Sequence, residues 1–285
     1  MQDSGHPGRS RQAGGGAMNT TADWDVLWRW QWFRRDLWLP HFRDPAHPEG
    51  RPARSCPVWT WILQRCEARR VLDCHCGLGL KTILLREAGF DTVGVDASAV
   101  AIQHARELAA ELGLPVRFHH LGCESLGEQF GAVFDAVVSD AFAFILDREG
   151  LRAAARGIAA VLKPGGSLIF AGADQWSHPE QRPGLIEQAW RAAPRFQLRA
   201  WYERDSTQMS LIVARDKTDW GIVDNYLFAV RDSGGAHLET AAICNSVEWT
   251  WQDYVDVCRG AGFASLESVR IPVGQREHIL NVARR

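Results

Sequence analysis

The stretch Val71-Leu72-Asp73-Cys74-His75-Cys76-Gly77-Leu78-Gly79, followed by Gly94-Val95-Asp96, narrows what this chain can fold into. It reads as an apolar strand, a glycine turn, a helix, a second strand and an acid at that strand's tip. Glycine lets a backbone bend sharply and approach a ligand, and a helix starting there presents free N–H groups. An acid at the tip of the next strand can accept both hydroxyls of a ribose. Asp96 follows Gly77 by 19 residues. The features coincide, so the stretch predicts a nucleotide-like ligand at the carboxyl edge of a parallel sheet.

The rest of the chain extends this pattern. Strands are expected at 70–74, 92–96, 116–120, 134–139 and 167–171, with helices near 81–88, 97–112 and 148–162. Lys163-Pro164-Gly165-Gly166 is the turn into the fifth strand. Strands alternating with helices imply an α/β, doubly wound, mostly parallel seven-stranded sheet. The rhythm changes after Ala173. Segments 208–215, 222–230 and 237–244 read as antiparallel strands with Asp232-Ser233-Gly234-Gly235 as a hairpin turn. Thr250 opens a helix running to about Gly260, and 277–283 is a last strand. The expected divisions are a disordered tail at 1–20, a tryptophan-rich helical lid at 21–66 and a ligand-binding core at 67–173. An antiparallel insert follows at 174–245, and 246–285 carry a C-terminal helix and strands that complete the core sheet. Thr20 or Thr21 with Asp23 and Asp25 suits the start of the lid helix, while Pro40, Pro45, Pro48, Pro52 and Pro57 are expected to break that region.

Two details select the nucleotide. A dinucleotide turn wants a third glycine at position 82, where this chain has Thr. Asp73, at the end of the first strand, would repel a pyrophosphate but not a cationic sulfonium with an amino-acid tail. The wording Leu-Asp-x-x-Cys-Gly-x-Gly, then Val-Asp-Ala-Ser, resembles motif I of class I S-adenosylmethionine-dependent methyltransferases, and most of all the glycine/sarcosine N-methyltransferase group. The resemblance covers roughly residues 55–285 and is strongest over 68–100. It implies a Rossmann-like fold, S-adenosyl-L-methionine as cofactor, and an antiparallel insert before the final helix and strands.

Residue by residue, the resemblance implies that Asp73, Cys76, Gly77 and Gly79 surround the methionine part. It puts Asp96 on the ribose and Ala97 beside the adenine. An arginine upstream of motif I on the cofactor carboxylate would be Arg51 or Arg54. The acid that similar enzymes place near the adenine amine is missing. Gly122 and Cys123 occupy its place, with Cys123 at the cofactor, and Glu124 comes two positions late.

The acceptor side departs further. Glycine-type enzymes carry an Asn after the fourth strand and an Arg after the fifth. Here the former region reads Ser139-Asp140-Ala141-Phe142-Ala143-Phe144, and Ala173 stands in the arginine's place. Alanine cannot make a bidentate contact to a carboxylate, so glycine is an unexpected acceptor. A site bordered by Phe142, Phe144 and Trp176, with Trp28 from the lid, suits an indole, pyrrole or phenol of natural-product type. C-, N- and O-methylation all remain open. Asp140 is the candidate orienting group or base, with the alternative of a helix N-cap; Tyr226 and Tyr202 are weaker candidates. His41, His119, His120 and His178 qualify only by proximity to the pocket. Trp24, Trp28 and Trp32 recur at helical spacing, which suits core packing, a subunit interface or a pocket wall.

Composition sets outer limits. A net charge of −2 and no basic track argue against nucleic acid, a protein acceptor or an anionic membrane. No run is long enough to span a membrane, and residues 1–20 lack the apolar core of a signal peptide. The seven cysteines read as reduced thiols of a cytoplasmic protein. Cys74-His75-Cys76 lacks further metal ligands at matching spacing, so no metal is expected. The chain is expected to be a homodimeric enzyme acting on a small molecule. A non-catalytic cofactor-binding scaffold is the competing class.

Overall fold

The computed structural model describes residues 18–218, 221–244, 249–274 and 276–285. Two helices come first, α1 (Thr21–Phe33) and α2 (Arg51–Arg65). The alternating core follows: β1 (Arg70–Cys74), α3 (Leu80–Glu87), β2 (Asp91–Asp96), α4 (Ala99–Glu111), β3 (Arg117–His120), α5 (Leu126–Gln129), β4 (Phe134–Ser139), α6 (Arg148–Val161) and β5 (Leu162–Phe170). Next come α7 (Arg182–Ala192) and four strands, β6 (Phe196–Arg204), β7 (Thr207–Thr218), β8 (Gly221–Asp232) and β9 (Gly235–Cys244). The chain closes with α8 (Trp251–Gly260), β10 (Ser265–Val273) and β11 (Arg276–Arg284).

The core strands form one seven-stranded sheet in the order β10-β11-β5-β4-β1-β2-β3. β1 through β5 are mutually parallel, whereas β11 runs antiparallel to both β5 and β10. The expected doubly wound, Rossmann-like sheet is therefore present. β1 is buried along Val71–Cys74, as a central parallel strand covered on both faces must be. Chain order reverses between β1 and β4, and in such sheets ligands bind at the strands' carboxyl ends beside that point.

The insert is a separate four-stranded antiparallel sheet, β6-β7-β8-β9. The segment between β5 and β7, which the sequence reading left without elements, contains α7 and β6. β6 alternates Phe196, Gln197, Leu198 and Arg199, but a register shift between Leu198 and Ala200 breaks the period. β10 also extends the strands foreseen near the chain's end.

α1 lies between the insert sheet and helix α4 of the core, and its tryptophans divide the work. Trp30 stacks on Phe228 of β8 at 5.9 Å and donates through Nε1 to Glu239 at 3.1 Å. Trp32 stacks on His104 of α4 at 4.6 Å. Thr20 caps the helix in a reciprocal box with Asp23. Asp25 instead accepts a bond from the Ser98 hydroxyl of the core. Asn19 bonds Phe144 and Cys244 across the molecule, so the last residues of the tail expected to be disordered are pinned. Residues 1–17 lie outside the described residues. α2 also departs from expectation, because it runs through Pro52 and Pro57. Pro52 sits in the first turn, where its missing N–H costs nothing. Pro57 removes one interior hydrogen bond, but burial of Val58, Trp59, Ile62 and Leu63 outweighs that at about 1.5–3 kcal/mol per large side chain.

Candidate functional site

The glycine turn is built as its residue types demand. Gly77 and Gly79 both have left-handed φ, +53° and +76°. A Cβ on Gly79 would lie 2.6 Å from the Phe118 ring, so the turn can pass there only without a side chain. Asp96 accepts from the Gly77 N–H at 2.8 Å through one carboxylate oxygen and from the Ser98 N–H at 2.9 Å through the other. Each oxygen keeps a lone pair for a ligand. This one side chain therefore ties the turn to the tip of β2 and faces an open cavity of about 2780 Å³. Ligand pockets commonly measure roughly 300–1,000 Å³, so the space can admit a cofactor and an acceptor together.

Cys76, Gly77 and Ala97 line that cavity with Asp96, as does Cys123. Burial pushes the Cys76 thiol well above its ordinary range, which makes it a neutral wall group. Gly79 caps α3 just behind the wall. Two expected cofactor contacts change. Asp73 is fully buried beneath the turn, where it accepts from Thr82 Oγ1 at 2.7 Å and pairs with Lys81 Nζ at 3.0 Å. Burial raises its carboxyl and Lys81 pulls it back down, so Asp73 holds the turn rather than touching the cavity. Arg54 spends its guanidinium on the carbonyls of Pro45, His47 and Pro48, which stitches the loop before α2. Arg51 and Arg34 line the cavity in its stead. Arg34 was missed because it lies in the lid, far from motif I. Burial lowers its guanidinium from the ordinary value, and its Nη2 donates to Gln31 at 2.7 Å. Glu124, two positions late in the sequence, also reaches the cavity, so an acid is present on the side of the absent one.

The expected acceptor wall is rearranged more. Phe144 and Tyr226 line the cavity. Phe142 is buried against Phe170, ring centroids 4.9 Å apart, and belongs to the core. Trp176 lies outside, 38% exposed, with the Arg270 guanidinium 4.2 Å over its ring. Trp28 comes down on Gly77, where a Cβ would be 2.7 Å from its indole, so it covers the cofactor turn. Trp24 lines the cavity, as one of the alternatives for the lid tryptophans allowed, and Phe228 and Trp249 add aromatic wall from β8 and the segment before α8.

Asp140 stands at the cavity with a side chain 56% exposed, but it accepts from Lys81 Nζ at 2.8 Å. Lys81 thus bridges Asp73 and Asp140, and the two carboxylates hold it firmly protonated. The Lys81 ammonium occupies one carboxylate oxygen of Asp140. Tyr202 bonds Asp36 and does not reach the cavity. His41 stacks on His47, His120 binds the Ala97 carbonyl, His119 packs on Phe130 and His178 pairs with Glu180. Among the described residues, the histidine on the cavity wall is His75.

His75 occupies a left-handed backbone position, φ +61°, where glycine would be unstrained. Its Nδ1 lies 2.8 Å from Ser139 Oγ and its Nε2 3.4 Å from Cys123 Sγ. Burial lowers the imidazole's pKa. Beneath it, Cys74 at the end of β1 is joined to Cys123 by a disulfide. This corrects the expectation of uniformly reduced thiols; Cys56, Cys66, Cys76, Cys244 and Cys258 are free. Sequence spacing concealed the pair, because Cys123 lies 49 residues from Cys74 and is brought in by the loop after β3.

A cofactor with a ribose, a flat base and a cationic amino-acid end fits this donor set. Asp96 supplies acceptors, Arg34 and Arg51 supply cations for a carboxylate, and Trp28 and Leu121 supply apolar wall. Comparison with known proteins agrees. Residues 71–166 match the family model described as a methyltransferase domain. The ubiquinone biosynthesis O-methyltransferase of Alkalilimnicola ehrlichii is 33% identical over 106 residues, 37% of this chain and 42% of that protein. The same enzyme of Methylocella silvestris is 32% identical over 140 residues, 49% of each chain. The chain thus spans about half, or less, of the length of these curated relatives. Among solved structures, the sugar N-methyltransferase KedS8 from Streptoalloteichus sp ATCC 53650 superimposes with TM-score 0.60 at 18% identity, covering 98% of this chain and 97% of that one. The amino pentose methyltransferase CalS10 from Micromonospora echinaspora gives 0.56 at 18% identity, covering 87% and 96%. At such identity these two share the fold.

Proposed function

We propose that this chain, whose residues 71–166 match a methyltransferase domain, is a class I S-adenosylmethionine-dependent methyltransferase that acts on an aromatic or heteroaromatic small molecule. The observation that carries the reading is the single large cavity shared by the Gly77 turn with Asp96 and by an aromatic wall of Trp24, Phe144, Tyr226 and Phe228. Flat rings gain there from burial and from ring–ring geometry, the latter about 0.5–1.5 kcal/mol per pair.

The cofactor brings an already activated methyl group. What the chain must do is position the acceptor, exclude water and manage a proton. Asp96 holds the ribose and Arg34 the carboxylate in this reading, while Trp28 closes over the turn. In-line positioning alone can supply roughly 7 kcal/mol in favourable cases. Asp140, steadied by Lys81, orients the acceptor's polar group from the end of β4. Tyr226 of β8, which also lines the cavity, serves as a hydrogen-bond partner of that group.

An amine acceptor is the second reading, favoured by one observation. The sugar N-methyltransferase KedS8 shares the fold over 98% of this chain. Glycine and sarcosine themselves are disfavoured, since Ala173 offers no cation for their carboxylate. A homodimer is also proposed. Phe196, Leu198 and Trp201 of β6 are each more than 60% exposed on an edge strand, and such apolar patches usually meet a partner.

The test is an acceptor screen with methyl-labelled cofactor across phenols, indoles, pyrroles, amino sugars and glycine. Label transfer to the flat acceptors supports the first reading, and transfer only to amino sugars supports the second. No transfer to any class by a folded, cofactor-binding protein would leave the scaffold class in possession.

A further inference from the structure

Three metal-ligand atoms meet at the floor of the cavity. Cys74 Sγ, Cys123 Sγ and a His75 ring nitrogen all lie within 4.8 Å of one another. We propose that the reduced protein binds one thiophilic divalent cation of the zinc class through Cys74, His75 and Cys123.

The ligand set has the chemistry of such a site. Two thiolates and an imidazole suit zinc, which takes four ligands in a tetrahedron. Cys74 is fully buried at the end of β1, and Cys123 is buried in the loop after β3. Cys74 belongs to β1, and Cys123 follows the end of β3, two strands away in the same sheet, by three residues, so the site is held at one edge of that sheet. His75 comes from the turn between them. Metal-bound histidines almost always engage their other ring nitrogen, which fixes ring orientation and tautomer. Here Nδ1 meets Ser139 Oγ at 2.8 Å, leaving Nε2 toward Cys123.

The left-handed backbone of His75 is a second, independent observation. Glycine fits that conformation without strain, and a non-glycine residue there costs of order 1–3 kcal/mol. A side chain kept at that cost points to use of the side chain. His75 and Cys123 both line the cavity, so the fourth position opens toward it and takes water.

The disulfide and the metal are alternative states of the same two sulfurs. Two molecules of a low-molecular-weight thiol deliver two electrons and two protons to the Cys74–Cys123 bond and leave as their own disulfide. The cation then displaces both thiol protons, and the sulfurs separate from bonding distance to ligand spacing.

The site can be tested without turnover. The full chain is reduced with a phosphine, freed of metal by dialysis and titrated with Co²⁺, then with Zn²⁺ in competition. One Co²⁺ per chain should bind with thiolate-to-cobalt absorption in the near ultraviolet, and Zn²⁺ should abolish it. Oxidised protein should bind none. Cys123→Ser should remove the absorption, and His75→Gly, which suits the backbone, should weaken binding tenfold or more. Ser139→Ala should weaken it by about 10–100-fold, as loss of such partners typically does. Absence of stoichiometric absorption in folded, fully reduced wild type overturns the proposal. So does a band that survives both Cys123→Ser and His75→Gly, since it would come from the other cysteines.

Discussion

The two halves of the cavity are assembled in opposite ways. On the cofactor side the hydrogen bonds that shape the turn are short in sequence: Gly77 to Asp96, Asp73 to Thr82, Ser98 to Asp96. A strand, a turn and a helix set all of them. On the acceptor side the contacts are long. Asn19 reaches Cys244 across 225 residues, Asp23 reaches Ala242 across 219, and Trp30 stacks on Phe228. The cofactor turn is thus a property of a local pattern, to which the lid adds Trp28 and Asp25. The acceptor half is a property of how the lid and insert dock on the core, and sequence can vary there without disturbing the turn.

The largest expected effect comes from removing the docked lid. A chain beginning at Glu67 loses Trp28, Arg34 and the whole of α1, and should lose methyl transfer entirely in a labelled-cofactor assay. A chain beginning at Met18 keeps Asn19 and Thr20 and should retain activity. If the Glu67 form turned over acceptor normally, the lid would not belong to the site.

Next is the buried ion pair under the turn. Lys81→Met strands Asp73 as a buried, unpaired carboxylate, which should cost about 3–5 kcal/mol in denaturant unfolding near neutral pH. The sign with pH follows from Asp73. Burial raises its folded-state pKa above the unfolded value, and losing Lys81 raises it further. Such a carboxyl favours the folded state below its unfolded pKa, and that advantage is lost as pH rises through the folded pKa. The variant's deficit should therefore shrink as pH falls through the carboxyl range. A deficit independent of pH would mean that Lys81 acts by packing, for instance on Trp59 at 4.6 Å.

The contrast also explains what could be read in advance. The Gly77 turn, Asp96 and strands β1 and β2 were legible because apolar period, glycine and acid act within about 30 residues of one another. Trp176 and Phe142 were misassigned for one reason: strand-end residues look alike until the next loop's path is known. Phe142 turns inward to Phe170, and Trp176 turns outward under Arg270. Arg34 and the Cys74–Cys123 pair were invisible for the converse reason, since distant segments bring them in. Lys81 shows a subtler limit. Its place in the helix was plain, but its double pairing required the register of β4 against β1.

A finer test sets two aromatic residues against each other. Phe144→Ala, on the cavity wall, should lower kcat/KM for the acceptor by up to tenfold, about 0.5–1.5 kcal/mol, with cofactor affinity little changed. Trp176→Ala, outside it, should change kcat/KM by less than twofold, within the ±0.5 kcal/mol typical of surface sites. The reverse order would place the acceptor on the far side of β5.

The central claim is that Asp96 and the Gly77 turn hold the cofactor, and calorimetric titration with S-adenosylmethionine tests it most directly. Wild type should bind one equivalent. Asp96→Ala, confirmed folded by its melting transition, should lose a charge-assisted contact worth about 1.5–3 kcal/mol, a weakening of roughly 10–150-fold. Asp96→Asn, which keeps one acceptor oxygen, should fall between. Unchanged affinity in folded Asp96→Ala, or no binding by wild type, would contradict the account.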